Sequence, residues 1–362
     1  MIETPCIVID QEKMASNIQR MADIAQRCGV ALRPHVKTHK IPDFAKLQLE
    51  AGAAGITVAK VSEAEVMAAA GIRDIFIAYP IVSPSKIDRV IALAKDNTII
   101  VGVDSIEGAN RLSSKVSEHK MTLKVRLEID TGLKRTGVPP EDAAEIGRAV
   151  NMLPGVELEG IFTFRGALTG GAPTLDLERA GREEGQLMVG VAERMRGGGI
   201  PIRHVSVGST PTAAYAAAVE GVTEIRPGTY VFYDRMQQQF GVCEPGDIAA
   251  KVRATVVSVP SPTRAVIDGG SKTFATDIAP DQPPLFLKGF GEIAGRPEAI
   301  LERMNEEHGM IVSSVPHGWQ VGDMVEIIPN HICSTVNLHN HVWLQGEEGH
   351  RKIQVSGRGM LF

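Results

Sequence analysis

Lys37 stands in the run Arg33-Pro34-His35-Val36-Lys37-Thr38-His39-Lys40, at the end of an apolar, strand-like stretch. Positive charge on Arg33, His35, His39 and Lys40 favours the neutral form of an amine among them, the form that attacks a carbonyl to give a Schiff base. The same cluster also reads as a solvated face or a phosphate patch, because charge clusters perturb side chains at structural sites too. A second pair, His331 and Cys333, lies two residues apart on a segment expected to be extended. Alternation then puts both side chains on one side, where they can chelate a single divalent ion. An isolated His-x-Cys also arises by chance, but two protein ligands would leave positions open for a substrate. Two glycine-containing turns complete the set, Val207-Gly208-Ser209-Thr210-Pro211-Thr212 and Arg226-Pro227-Gly228-Thr229-Tyr230. A small, hydroxyl-rich turn exposes backbone N–H groups and forms a nest for phosphate, above all where a helix starts directly after it, as expected over 211–219.

These groups act together only if the fold gathers them. Apolar strands alternate with amphipathic helices through about two thirds of the chain, the pattern of an α/β fold of the (β/α)8, TIM-type barrel class. Eight strands are expected, at 31–37, 55–59, 74–79, 98–104, 123–130, 156–164, 204–208 and 223–226. Among the helices are 62–70, 85–95, 140–151 and 177–196. A strand at 4–10 and a helix at 11–28 precede them, the helix with Met14, Ile18, Met21 and Ile24 on one face. In such barrels the carboxyl ends of the strands and the loops after them surround the active site, so Lys37, expected at the end of the first of the eight, suits catalysis. After about Phe240 short alternating strands take over, and a mostly β, β-barrel-like second domain is expected, with 280–297 read as an excursion because of its prolines and glycines.

Composition narrows the function class. The chain has 362 residues, 43% hydrophobic and 22% charged, ordinary for a soluble globular protein larger than a single core. Aromatic residues at 4% and a net charge of -5 argue against a nucleic-acid partner, which demands stacking surfaces and a basic excess. No apolar run approaches the roughly 20 residues of a membrane span. The start Met1-Ile2-Glu3-Thr4-Pro5 lacks a secretion pattern, so a cytoplasmic location is expected. Cys6, Cys28, Cys243 and Cys333 are too few for a disulfide framework and read as thiols.

A phosphate site and a nucleophilic lysine in one barrel mouth point to pyridoxal 5'-phosphate. The chain resembles the alanine-racemase-fold pyridoxal phosphate enzymes, and within them the D-threonine aldolase and D-serine dehydratase group. The resemblance rests on 34–40, on Glu128-Ile129-Asp130-Thr131-Gly132-Leu133-Lys134-Arg135-Thr136-Gly137, on the two glycine turns, on Glu306-Glu307-His308-Gly309 and on Pro329-Asn330-His331-Ile332-Cys333, and it spans nearly the whole chain. It implies a barrel at 11–240 carrying the cofactor on Lys37, and a β domain of 1–10 with 241–362 that carries the metal ligands. It also implies a homodimer with active sites at the subunit interface. By resemblance, Ser209, Thr210, Gly228 and Thr229 hold the phosphate, Tyr230 lines the cofactor, Arg135 approaches it, and Arg226 faces the pyridine nitrogen. His204 is read as orienting Arg226; the plainer alternatives are a core histidine and a strand-end salt bridge. Phe164 stands where racemases have a histidine stacked on the cofactor.

The ion decides the chemistry. With a thiolate ligand, zinc is favoured over magnesium, with manganese next if oxygen ligands complete the shell. A β-hydroxy D-amino acid offers such an ion an oxygen, and two lyase reactions follow, with Lys37 and His331 as the catalytic residues. Retro-aldol cleavage of a D-threonine-type substrate to glycine and an aldehyde is placed first. Dehydration of D-serine or D-threo-3-hydroxyaspartate to a 2-oxo acid and ammonia is nearly level, since His-x-Cys resembles the dehydratase branch. A racemase ranks lower, because it needs a second base from Tyr215, Tyr230 or Tyr233 and gives the ion no task. A cofactor-binding barrel without enzymatic activity would lack the roughly 120 residues after Phe240. Glu307 and His308 are read as pocket residues or as a polar turn, and His339 and His341 as structural or supporting groups.

Overall fold

A computed structural model describes residues 2–362, which form two compact units. One comprises Arg20–Lys37, Pro42–Gly228 and Met360–Phe362. The other comprises the segment up to Gln19, Thr38–Ile41 and Thr229–Gly359.

The first unit is built on eight parallel strands in the order Ala31–Leu32, Glu224–Ile225, His204–Val207, Val156–Phe162, Leu123–Glu128, Thr98–Val103, Asp74–Pro80 and Ile56–Val58. Helices connect them, among them Pro42–Glu50, Val61–Ala69, Pro84–Ala94, Ile106–Glu118, Ala143–Asn151 and Leu177–Gly197. Runs such as Ile99-Ile100-Val101 are buried throughout, as a sheet covered on both faces requires. A parallel bridge between His35 and Thr57 joins the two ends of the sheet, so the eight expected strands close into a barrel. The expected strand 31–37 shortens to Ala31–Leu32, and Lys37 falls in a single 3-10 turn, Val36–Thr38. The cause is Pro34, which has no N–H for the ladder. Pairing continues around it, with His35 N donating to Pro227 O at 2.9 Å and Thr57 N donating to Pro34 O at 2.8 Å.

The barrel interior is layered. Arg126 donates to Glu159 at 2.8 Å and to Glu224 at 2.5 Å, and Arg33 donates to Glu224 at 2.8 Å, all with buried side chains. Burial alone would raise the Glu224 carboxyl, but Arg126 and Arg33 hold it down to about 2. Phe76, Ile100 and Phe162 form an apolar cluster, with the two phenyl rings edge to face at 5.0 Å. Gly102 makes room for it, since a Cβ there would stand 2.8 Å from the Phe162 ring.

The second unit is a nine-stranded sheet, mostly antiparallel. Six of its strands close on themselves, because Ala250–Ser261 and Gly309–Ser313 both pair with Arg264–Ile267, and Gly309–Ser313, Arg296–Met304, Gly291–Ile293 and Met324–Pro329 lead back to Ala250–Ser261. Ala250–Ser261 is long enough to serve three neighbours, with register shifts where it pairs with Arg264–Ile267. Cys6–Asp10 pairs with Ala250–Ser261 and, in parallel, with His341–Gly346. The reading of 280–297 as an excursion fits 280–290, which carry no strand or helix, and is corrected from Gly291 on. Gly291–Ile293 is an inner strand, and Arg296 opens the strand beside it. Glycine suits position 291 because a Cβ would meet Ile327 at 2.7 Å. All four cysteines are free thiols. No helix among the described residues is long and apolar enough to cross a membrane.

Candidate active site

In the barrel unit, Phe164 gathers two of the expected residues. Lys37 Nζ lies 5.3 Å and Arg135 Cζ 5.2 Å from the centre of its ring. Arg135 is carried by the tight loop after the strand Leu123–Glu128. Asp130 Oδ1 accepts from Gly132 N at 2.9 Å and Lys134 N at 3.0 Å, and Val138 N returns to Glu128 O at 2.9 Å. The crowding expected around Lys37 is partly neutralised, since the Arg33 charge is matched by Glu224 and Asp74.

Arg226 ends the strand Glu224–Ile225 and is buried over the phenyl cluster, 5.3 Å from the Phe162 ring and 5.8 Å from Phe76. Its guanidinium donates to Ser206 Oγ and Thr163 O, and Ser206 donates in turn to Glu224. Burial lowers its pKa to about 10, which leaves it charged at neutral pH. The orienting role read for His204 therefore falls to Ser206 and Thr163. His204 opens its strand two residues before Ser206, and its pKa is lowered by burial and by Arg126.

The first glycine turn is buried at Ser209, Thr210 and Thr212, and Gly208 takes φ +85°, the left-handed region that favours glycine. Ser209 O accepts from Ala213 N at 2.8 Å, which starts the short helix Ala213–Ala217. Gly228 N donates to Thr210 Oγ1 at 3.3 Å, so the two glycine turns, 18 residues apart, meet. Ser209, Thr210 and Gly228 thus offer hydroxyls and peptide N–H groups at the carboxyl ends of adjacent strands, which fits a phosphate.

In the β unit, His331 has an extended backbone, but Cys333 lies in the first turn of the helix Ile332–Val336. The expectation of a wholly extended His-x-Cys segment is thereby corrected. The reason is local: Asp234 Oδ2 accepts from Ile332 N at 3.0 Å and Thr335 Oγ1 donates to His331 O at 2.8 Å, which caps a helical turn. The two side chains still meet. Burial would depress the His331 imidazole, yet the Cys333 thiolate and Asp277 raise it well above its ordinary value. Burial would raise the Cys333 thiol, and His331 lowers it. Each therefore favours the other's charged form, as a thiolate–imidazolium pair does. His331 Nδ1 is 2.6 Å from Asp277 Oδ2, which leaves its other ring nitrogen for an ion. Among the described residues no group of three or more His, Cys, Asp or Glu is placed to hold a metal, so water or substrate would complete the shell of an ion on this pair. A thiolate, an imidazole and an orienting carboxylate fit zinc.

Cys333 Sγ lies 3.2 Å from Thr38 Oγ1 and 3.5 Å from Thr229 Oγ1. These two threonines directly follow Lys37 and Gly228 in the chain. Thr229 and Tyr230 belong to this unit, in the single 3-10 turn Thr229–Val231, with Tyr230 fully buried. Glu307 and His308 are exposed on the turn between Arg296–Met304 and Gly309–Ser313, where Glu307 pairs with Lys272 at 2.6 Å. His339 bonds Thr273 O at 3.0 Å, and His341 stands edge-on to Trp343.

The alanine racemase N-terminal domain matches residues 9–236. The chain belongs to the alanine-racemase-fold family. Members of this family use pyridoxal phosphate, and a serine dehydratase domain matches residues 249–344. The chain is 35% identical over 353 residues to D-threo-3-hydroxyaspartate dehydratase of Delftia sp. strain HT23, with 92% of each chain covered. The solved structure of that dehydratase matches with a TM-score of 0.90 and 33% identity, covering 98% of this chain and 97% of that one. Histidine-to-alanine and cysteine-to-alanine variants of it, at positions two apart, have also been solved, the cysteine variant in the metal-free form. D-threonine aldolase of Arthrobacter sp is 32% identical over 347 residues, covering 94% of this chain and 88% of its own. D-threonine aldolase of Filomicrobium marinum matches with a TM-score of 0.89 and 30% identity over 100% of this chain and 96% of that one.

Proximity in sequence did not announce Ser206, Thr163, Asp277 or Glu184. Glu184 alone carried a signal: it falls in register with Leu177, Ala180, Met188 and Val191 on the buried face of its helix.

Proposed function

We propose that the protein is a pyridoxal 5'-phosphate- and divalent-metal-dependent lyase acting on β-hydroxy D-amino acids, and that it eliminates the β-hydroxyl to give a 2-oxo acid and ammonia. What supports the choice is the pair His331 and Cys333, each of which favours the other's charged form, together with the solved histidine-to-alanine and cysteine-to-alanine variants of D-threo-3-hydroxyaspartate dehydratase at positions two apart, the latter in the metal-free form. Pyridoxal phosphate supplies an electron sink for the α carbon, and the ion supplies a Lewis acid for the β oxygen. The chain does the rest. Lys37 would hold the cofactor and, once displaced by the substrate amine, hold and move the α proton on Nζ. Ser209, Thr210 and Gly228 would bind the phosphate, with Thr229 and Tyr230 following them in the chain. Arg226, fixed by Ser206 and Thr163, presents a lasting positive charge suited to the pyridine nitrogen and opposes its protonation. Arg135 shares Phe164 with Lys37 and suits a substrate carboxylate. His331 and Cys333 would hold the ion, with His331 oriented by Asp277.

Retro-aldol cleavage is the second reading, favoured by the 32% identity to the Arthrobacter aldolase. D-threonine separates the two in one assay with added zinc or manganese. Dehydration yields 2-oxobutanoate and ammonia, whereas cleavage yields glycine and acetaldehyde. If D-threonine, D-serine and D-threo-3-hydroxyaspartate all remain unchanged, both readings fail. A homodimer in the cytoplasm remains part of the proposal.

A further inference from the structure

Glu184 lies on the buried face of the helix Leu177–Gly197, with no exposed surface. Two glycines set its depth. A Cβ at Gly181 would stand 2.8 Å from Thr212 O and 2.8 Å from Tyr215 Cβ, and one at Gly185 would stand 2.8 Å from Val219. Only glycine lets the helix backbone lie this close to the segment after the turn Gly208–Thr212. From there Glu184 Oε2 reaches Thr212 Oγ1 at 3.4 Å. Thr212 Oγ1 in turn lies 3.0 Å from Ser209 Oγ and accepts from Ser209 N at 3.3 Å. The other carboxyl oxygen, Oε1, is buried and completes no hydrogen bond. Two cations face the group from other elements, Arg226 at a strand end and Arg165, whose guanidinium also pairs with Glu183 at 3.0 Å. Burial outweighs both, together with the peptide groups of Gly208 and Arg165, and pushes the carboxyl up to about 7.

We propose that Glu184 is a positioning residue of the phosphate site: when protonated it donates to Thr212 Oγ1, Thr212 donates to Ser209 Oγ, and the Ser209 proton is turned outward to the anion. This deepens the proposed function and rests on its reading of the turn as a phosphate site. In the ionised form the chain reverses, because a carboxylate can only accept. The Thr212 proton then turns to Glu184, and a buried negative charge sits two hydroxyls from a phosphate dianion. The phosphate therefore binds the protonated form, and by linkage its affinity falls as pH rises through 7.

The test measures dissociation constants of pyridoxal 5'-phosphate and of unphosphorylated pyridoxal on cofactor-free, full-length protein, read by long-wavelength absorbance between about pH 6.5 and 8.5. Their ratio isolates the phosphate from the titration of Lys37. In the wild type the advantage of the phosphate ester falls by up to about tenfold per pH unit above 7. Glu184→Gln keeps a permanent donor and no charge, so its ratio stays within about twofold of the curve set by the ester's own ionisation. A slope in Glu184→Gln as steep as in wild type overturns the proposal. Should that variant fail to fold, Thr212→Val cuts the relay alone and lowers the advantage about tenfold at the acid end; wild-type affinity there overturns it equally. If wild-type protein develops no absorbance with pyridoxal 5'-phosphate, the cofactor reading itself falls, an outcome distinct from a misassigned Glu184.

Discussion

In the proposed metal site the second ring nitrogen of His331 is occupied by Asp277, 54 residues earlier in the chain. Ser334 donates to the same carboxylate oxygen at 2.9 Å, which leaves Asp277 little freedom to turn away. Asp277→Asn keeps the shape and loses the charge, so the imidazole becomes a weaker, less fixed ligand. Zinc affinity is expected to fall about 10- to 100-fold, with activity restored by added ion and the cofactor absorbance unchanged. A variant with wild-type ion affinity, measured by competition with a chelator, would remove Asp277 from this role. The sequence singled out His331 and Cys333 because two soft ligands at short spacing are a local pattern. Nothing local marks Asp277, which lies in a stretch outside any strand or helix and is brought in by tertiary contact alone.

At the scale of elements, periodicity located most of the strands and helices to within a few residues. The helix expected at 11–28 is found as Gln11–Cys28, and that expected at 177–196 as Leu177–Gly197. Misreadings arose where one residue type has two uses. Glycine and proline between 280 and 297 looked like loop chemistry, whereas Gly291 is required by close approach to Ile327 inside a sheet. Gly181 is a stronger case, since the atoms its Cβ would meet include backbone, which cannot rotate aside. Gly181→Ala should push the helix Leu177–Gly197 away from Thr212 and cost about 1–3 kcal/mol, measured by urea unfolding. A neutral effect on stability would mean that the helix shifts freely, and that Glu184 is not held at a set depth.

At the scale of the whole molecule, the buried Arg33, Arg126, Glu159 and Glu224 network ties four barrel strands or their ends together. Glu224 has a folded pKa of about 2 against an ordinary 4.5, so it binds fewer protons folded than unfolded. Its contribution is therefore complete above about pH 4.5 and is lost as pH falls toward 2. Glu224→Gln would leave Arg126 and Arg33 buried without their counter-charge and lower stability by about 3–5 kcal/mol at neutral pH, while making the acid limb of the stability curve shallower. An unchanged acid limb would place the acid sensitivity elsewhere. By itself the sequence determined the alternation of strands and helices, the β-rich carboxyl-terminal part, and the lysine, glycine turns and His-x-Cys pair, because periodicity and short motifs are properties of neighbouring residues. Only the tertiary structure decided that Ser206 rather than His204 holds Arg226, and that Phe164 collects Lys37 with Arg135. It alone brought Glu184 beneath Ser209 and Thr212. These are contacts between residues up to about 130 positions apart, made by barrel closure and glycine-permitted helix packing, and no spacing along the chain encodes them.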